Sequence, residues 1–211
     1  MGATQFRLLT TLGLRETDHL LDFGCGSLRA GRLFLPYLLP GHYYGVEPNQ
    51  WLLEHAIANE IGQDMIRIKR PSFLHTTDFR VDGFAQQFDF ILAQSIFSHC
   101  GIDLIATALA NFKAALAEHG LVLATFIQTE TAAMQEFKGE GWIYPHCVAY
   151  NAETILRTAR NAGLHAIRIP WFHPRQHWYC LAHSWKLLPP YAKFSHLTGA
   201  VLRDPAFSAS S

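Results

Sequence analysis

The stretch His19-Leu-Leu-Asp-Phe-Gly-Cys-Gly-Ser-Leu-Arg-Ala-Gly31 decides how this chain is to be read. A short apolar run, Leu20–Phe23, carries one acidic residue, Asp22, and passes straight into Gly24-Cys25-Gly26. Glycines at this point let the backbone turn tightly and approach a ligand at the carboxyl end of a strand. A helix is expected after Leu28, ending near Pro40-Gly41, with a kink at Pro36 and Arg29 in its first turn. In a nicotinamide enzyme the third glycine of G-x-G-x-x-G would stand at position 29. Arg29 is there and the next glycine is Gly31, so that fingerprint is broken.

Outward from this segment the chain alternates. Strand-like runs are Leu20–Phe23, Tyr43–Glu47, Met65–Ile68, Phe88–Gln94 and Leu121–Ile127. Most are continuously apolar, as strands buried on both faces of a parallel sheet are. Helical patterns separate most of them. Gln50 to Ile61 has Asn49 as N-cap candidate and Gly62 as terminator. Ile102, Ile105, Ala106, Leu109, Phe112 and Leu116 make one apolar face, with Asp103 in the first turn and Gly120 as the stop. No helix is expected between Ile68 and Phe88. Towards the end, Asn151 caps a helix that Gly163 terminates. Two further strands, Leu164–Ile169 and His177–Ser184, are joined by the short Pro170–Gln176 link. A link this short means an antiparallel hairpin, because a parallel crossover needs a dozen or more residues.

The composition sets limits. The chain has 211 residues, 17 basic and 17 acidic, and is 49 % hydrophobic. That suits one folded domain over residues 1–188, with 128–150 as an aromatic substrate cap and 189–211 as a Pro/Ser/Ala-rich tail. Zero net charge argues against a nucleic-acid partner. The 4 cysteines form no CxxC pair, so neither a zinc ribbon nor a thioredoxin-like site is suggested. Scattered thiols, no signal peptide and no membrane-length apolar run give the expectation of a soluble cytoplasmic protein without a membrane partner. His173 and His177 have metal-ligand spacing, but Pro174 removes the helix that would align them, so no metal site is expected.

Asp22-Phe23-Gly24-Cys25-Gly26 resembles motif I, D-x-G-x-G, of the class I S-adenosylmethionine-dependent methyltransferases. Glu47 closes Tyr43-Tyr44-Gly45-Val46-Glu47, where a carboxylate can accept both ribose hydroxyls. Phe88–His99 is similar to the family's motif IV with its hydrophobic-x-His ending. Asn111–Phe126 is similar to the helix, glycine and strand that follow it. Ser27-Leu28-Arg29-Ala30-Gly31 and the run Tyr43–Asn49 resemble a bacterial, small-molecule-type group. The resemblance covers about residues 17–127 by motif and reaches 184 by element order. It implies an α/β, Rossmann-like sheet of seven strands in the order 3-2-1-4-5-7-6, strand 7 antiparallel, with helices on both faces. That agrees with the hairpin read above.

The resemblance also implies roles. Gly24, Cys25 and Gly26 line the cofactor with backbone. Asp22 positions the loop or reaches the methionine amino group, and Glu47 binds the ribose. Asp78 and Phe79 stand where a carboxylate meets the adenine amino group and a side chain meets its ring. Gln94 borders the methionyl part, and Arg29 is a candidate carboxylate ligand. His99 is the candidate general base, since a neutral imidazole can take the proton an attacking hydroxyl or ammonium loses. Trp142, Tyr144, His146 and Tyr150 are expected in a substrate pocket within the cap. The activity implied is transfer of a methyl group from S-adenosylmethionine, leaving S-adenosylhomocysteine, to O or N of a small-molecule or sugar-type acceptor. The run Gln94-Ser95-Ile96-Phe97 is not the Asn/Asp-Pro-Pro-Tyr/Phe of the amino-methylating base and glutamine enzymes. The competing readings are a catalytically silent relative acting as a partner or regulatory module and, against the broken fingerprint, a nicotinamide enzyme.

Overall fold

The computed structural model describes residues 1–129 and 135–197. Helix α1 (Gly2–Thr11) leads into β1 (Leu20–Phe23), α2 (Gly31–Tyr37) and β2 (Tyr43–Val46). After α3 (Gln50–Ala56) the chain makes a wide π-type turn over Ile57–Ile61, then forms α4 (Gln63–Lys69) and β3 (Ser72–Leu74). Next come β4 (Phe88–Ala93), α5 (Ile102–Ala115), β5 (Leu116–Phe126), α6 (Ala152–Asn161) and the pair β6 (His165–Ile169) and β7 (His177–Ala182). The seven strands form one sheet in the order β3-β2-β1-β4-β5-β7-β6. β7 runs antiparallel to both β5 and β6, while the other pairs are parallel. The expected topology and hairpin are therefore present.

Alternation along each strand feeds two cores. Leu21, Phe23, Ile91, Ala93, Val122 and Ala124 face α5 and α6, together with Ile105, Phe112 and Ile155. Leu20, Phe90, Leu92, Leu121 and Leu123 face the other side, where Leu8, Leu9, Phe34 and Leu53 of α1, α2 and α3 cover them. This two-sided burial is why the strands read as unbroken apolar runs.

Several boundaries differ from the sequence reading. Met65–Ile68 is helical, in α4, and the third strand is the short Ser72–Leu74 at the sheet edge. Asp64 in the first turn and Arg67 and Lys69 in the last suit a helix dipole, and Arg70 closes α4 in the left-handed region. Three apolar residues in four looked like a strand because short runs fit both periods. Helix α5 stops at Ala115, because Leu116 takes an extended conformation and pairs with Phe88. Gly120, expected as the helix stop, lies within β5. Helix α2 begins only at Gly31, so Arg29 stands in the turn ahead of it. Asn49 makes no side-chain cap bond, whereas Asn151 does, its side chain accepting from Thr154 N–H. Helix α1 was not foreseen, although Gln5, Leu8, Leu9 and Leu12 recur at helical spacing. The first part of the tail is tied down at Leu197, which is buried. Residues 198–211 of the tail and 130–134 of the cap lie outside the described residues.

Candidate active site

Where β1 ends, the chain turns through Gly24 (φ 77°) and Gly26 (φ 54°), a left-handed geometry in which side chains are disfavoured. Space imposes the same choice at Gly24, since a Cβ there would collide with the Ile96 side chain. The N–H groups of Gly24 and Cys25 both donate to the Val46 carbonyl, at 2.9 and 3.0 Å. Just beyond β2, the Glu47 carboxylate accepts Gly26 N–H at 3.1 Å on one oxygen and Asn49 N–H at 2.9 Å on the other. The glycine turn is thus held from two sides by the end of the neighbouring strand.

Asp22 follows Leu20 onto the α1/α2 face and is 4 % exposed. Tyr43 O–H donates to it at 2.7 Å. Burial raises its carboxyl from 3.8 to about 6, with the Tyr43 bond opposing that rise and Glu47 adding to it. The buried Cys25 thiol is pushed well up by desolvation, then by Asp22 and Glu47, and therefore stays neutral.

A cavity of about 380 Å³ opens over the carboxyl ends of β1 and β4. The run Gly24–Ser27, Asp22, Arg29 and Ala30 line one side, Gln94, Ser95 and Ile96 another, and Met1, Gln5 and Tyr144 complete it. The Gln94 side-chain oxygen is buried without a partner, and its amide nitrogen lies 3.5 Å from His173 Nε2. His173 Nδ1 accepts the N–H groups of Arg175 and Gln176, so its proton sits on Nε2. Burial first, then Arg175 and His177, lower this imidazole to about 4 and keep it neutral. A donor at His173 Nε2 calls for the Gln94 amide with its oxygen turned towards it, an orientation that side-chain shape alone does not fix. Ser95, at φ 61°, donates its N–H to Thr125 Oγ1 at 2.8 Å, and its hydroxyl accepts from Gln176 Nε2 at 3.1 Å.

His99 ends a single turn, Phe97–His99, after β4. Its Nδ1 lies 2.7 Å from the His146 carbonyl oxygen. A carbonyl only accepts, so Nδ1 carries the proton and Nε2 is left as an acceptor. Ile143 N–H donates to His99 O and Val148 N–H to Ser98 O, both at 2.8 Å, which fastens the cap to this turn. The Tyr144 ring packs edge-on to the His99 ring, with centroids 5.2 Å apart.

Residues 21–122 match the family model described as a methyltransferase domain. That match spans just under half of the chain and makes residues 21–122 a methyltransferase domain. No curated protein matches it. Among solved structures, the CcbJ methyltransferase from Streptomyces caelestis is similar, at a TM-score of 0.65 and 13 % identity over 87 % of this chain and 95 % of that one. The glycopeptide N-methyltransferase MtfA complexed with S-adenosylmethionine gives 0.64 and 14 % over 87 % and 94 %. Magnesium protoporphyrin IX methyltransferase from Synechocystis PCC 6803, with S-adenosylmethionine bound, gives 0.63 and 11 % over 87 % and 80 %. At such identities these likenesses speak for the fold.

In this methyltransferase Asp22, Gly24, Cys25, Gly26, Arg29, Gln94 and Tyr144 meet at one cavity. Glu47 stands behind the glycine turn rather than in the cavity wall. Asp78 is exposed and closes its own turn with Thr76 and Arg80, which hold its carboxyl below the usual range. Phe79 corrects the expectation of a ring free to meet adenine. It is buried between Phe23, centroids 5.4 Å apart, and Trp142, at 5.1 Å, with both pairs nearly parallel. The cap also divides differently from the acceptor pocket expected. Tyr150 is 1 % exposed in the core, its hydroxyl donating to Cys100 O at 2.9 Å. Trp142 covers Phe79, and His146 offers its carbonyl to His99. Of the four cap residues named, only Tyr144 lines the cavity. Gln5, Ser27, Ser95 and Ile96 were missed. Helical spacing with Leu8 and Leu9 was the available signal for Gln5, whereas Ser95 gave none. Among the described residues no group of three or more His, Cys, Asp or Glu could hold a metal ion, and no helix is long and apolar enough to cross a membrane.

Proposed function

We propose that this methyltransferase transfers the methyl group of S-adenosylmethionine to an oxygen or nitrogen of a small-molecule or sugar-type acceptor. The observation that carries this reading is the cavity joining buried Asp22, the glycine turn and the end of β4. Its size lies within the roughly 300–1,000 Å³ usual for ligand sites. The residues fit the cofactor. Asp22 is an anion for the methionyl ammonium, and Arg29 is a cation for its carboxylate. Gly24 and Gly26 let the backbone come close. Glu47 Oε1 and Oε2 each accept one backbone N–H and keep capacity for a ribose hydroxyl. Asp78 is the carboxylate assigned to the adenine amino group.

When bound, the cofactor supplies a sulfonium methyl carbon open to in-line attack, with the carbon–sulfur electron pair staying on sulfur. The chain's task is alignment, desolvation and proton removal, and alignment alone can lower such a barrier by roughly 7–11 kcal/mol. His99 takes the acceptor's proton on Nε2, held in the right tautomer by the His146 carbonyl. Tyr144, on the cavity wall and edge-on to the His99 ring, links the cavity to that imidazole. With 17 basic and 17 acidic residues there is no charge excess to recruit a nucleic acid, which supports a small acceptor.

Thermal unfolding with S-adenosylhomocysteine and, separately, with NAD tests the cofactor. A ligand at 100 times its dissociation constant adds about 2.7 kcal/mol. Stabilisation by the first alone is expected, and stabilisation by NAD alone would overturn the reading. Metabolite pools incubated with methyl-labelled cofactor test the transfer. Label should appear in a small molecule, and tight cofactor binding with no labelled product from any pool would favour a silent binding protein.

A further inference from the structure

Helix α1 contains none of the family's motifs, yet it packs directly on the glycine turn. A Cβ on Gly2 would collide with the carbonyl oxygen of Arg29, so the helix start and the turn meet backbone to backbone. Three positions on, Gln5 is 8 % exposed and lines the same cavity as Asp22, Gly26 and Arg29. Its backbone N–H donates to Met1 O. Its side-chain amide makes no hydrogen bond among the described residues. The residue is buried, yet its amide is not among the sealed-off polar atoms without a partner, so it opens to the cavity and is available to whatever fills it.

We propose that Gln5 is a cofactor-binding residue whose amide N–H donates to the carboxylate at the methionyl end of S-adenosylmethionine. The proposal rests on the reading above that this cofactor occupies the cavity. The charges on the wall assign the two ends. Asp22 is the buried anionic group and takes the ammonium. The carboxylate then falls to the donors, the Arg29 guanidinium and the Gln5 amide. A neutral donor suits a place beside a cation, because it satisfies a carboxylate oxygen without repelling Arg29.

Isothermal titration of the full chain with two ligands tests this. S-adenosylhomocysteine has the amino-acid end, whereas 5′-methylthioadenosine keeps the nucleoside and lacks that end. Gln5→Met retains the side-chain volume and removes the amide. It should weaken S-adenosylhomocysteine about tenfold and leave 5′-methylthioadenosine within about twofold. Gln5→Glu sets a carboxylate against a carboxylate and should weaken the first ligand further, again sparing the second. Equal weakening of both ligands would show that Gln5 merely supports α1, and would overturn the proposal. So would unchanged affinity of Gln5→Met for S-adenosylhomocysteine. If the unsubstituted chain bound neither nucleoside, the cofactor reading itself would fall, and the role of Gln5 with it.

Discussion

Gly26 N–H donates to the Glu47 carboxylate at 3.1 Å, joining the glycine turn after β1 to the residue just past β2. One side chain thereby shapes the turn and keeps acceptor capacity for a ligand. Removing it strips a partner from Gly26 and from Asn49.

Glu47→Ala should therefore affect both stability and binding. Leaving these N–H groups short of an acceptor costs about 1–3 kcal/mol of unfolding free energy, and affinity for S-adenosylhomocysteine should fall at least about tenfold. Glu47→Gln keeps one carbonyl acceptor and should lie between. Denaturant unfolding and calorimetric titration measure the two effects. A folded Glu47→Ala protein with unaltered affinity would detach this carboxylate from the cofactor site.

Asp22 and His173 should oppose each other in acid. Asp22 is raised from 3.8 to about 6, so the folded state holds its proton more tightly than the unfolded one. Its contribution to stability falls as pH rises between those values, by on the order of 3 kcal/mol. His173 is lowered from 6.5 to about 4, so the unfolded state binds the proton more tightly. Its contribution is complete above 6.5 and is lost as pH falls towards 4. Asp22→Asn, whose carbonyl can still accept from Tyr43, should be more stable than the parent at pH 7 and lose that advantage near pH 4. Its stability should climb more steeply with pH between 4 and 6. Cofactor affinity in the parent should drop as pH falls through about 6, because an ammonium needs ionised Asp22, and should stay flat in Asp22→Asn. Parallel stability–pH curves for parent and variant would show that Asp22 is not held above its ordinary range.

His99→Gln should lower kcat by about 10²–10⁴ with an acceptor that must lose a proton. Affinity for S-adenosylhomocysteine should not change, since His99 does not line the cofactor cavity. An acceptor that ionises unaided would instead show a raised KM at nearly constant kcat. Unaltered kcat and KM would leave His99 as an anchor for the His146 carbonyl.

Tyr144 and Tyr150 should separate function from packing. Tyr144 is 75 % exposed and on the cavity wall, so Tyr144→Ala should leave the melting temperature within a few degrees and change acceptor kinetics. Tyr150→Phe removes the bond to Cys100 O and should cost about 1 kcal/mol of stability with turnover preserved. The reverse pattern would restore Tyr150 to the acceptor pocket.

What the sequence determined by itself was whatever rests on neighbouring residues. Continuous apolar runs marked strands covered on both faces, and glycines after Asp22 marked a turn that tolerates positive φ at Gly24 and Gly26. The short link from Pro170 to Gln176 required an antiparallel pair, and Asn151 capped its helix. These follow from local sterics and periodicity. Tertiary structure decided the rest. Met65–Ile68 fits a strand and a helix equally well, and its packing on the α1/α2 side made it a helix. Phe79 and Tyr150 have the composition of a ligand pocket and of a core, and their burial settled which, while Trp142 stacks on Phe79 from the exposed side. Gln5, Gln94 and Tyr144 share one cavity although they are far apart in the chain. Nothing local encodes that meeting, because it depends on where β4 lies in the sheet and how α1 docks on the glycine turn.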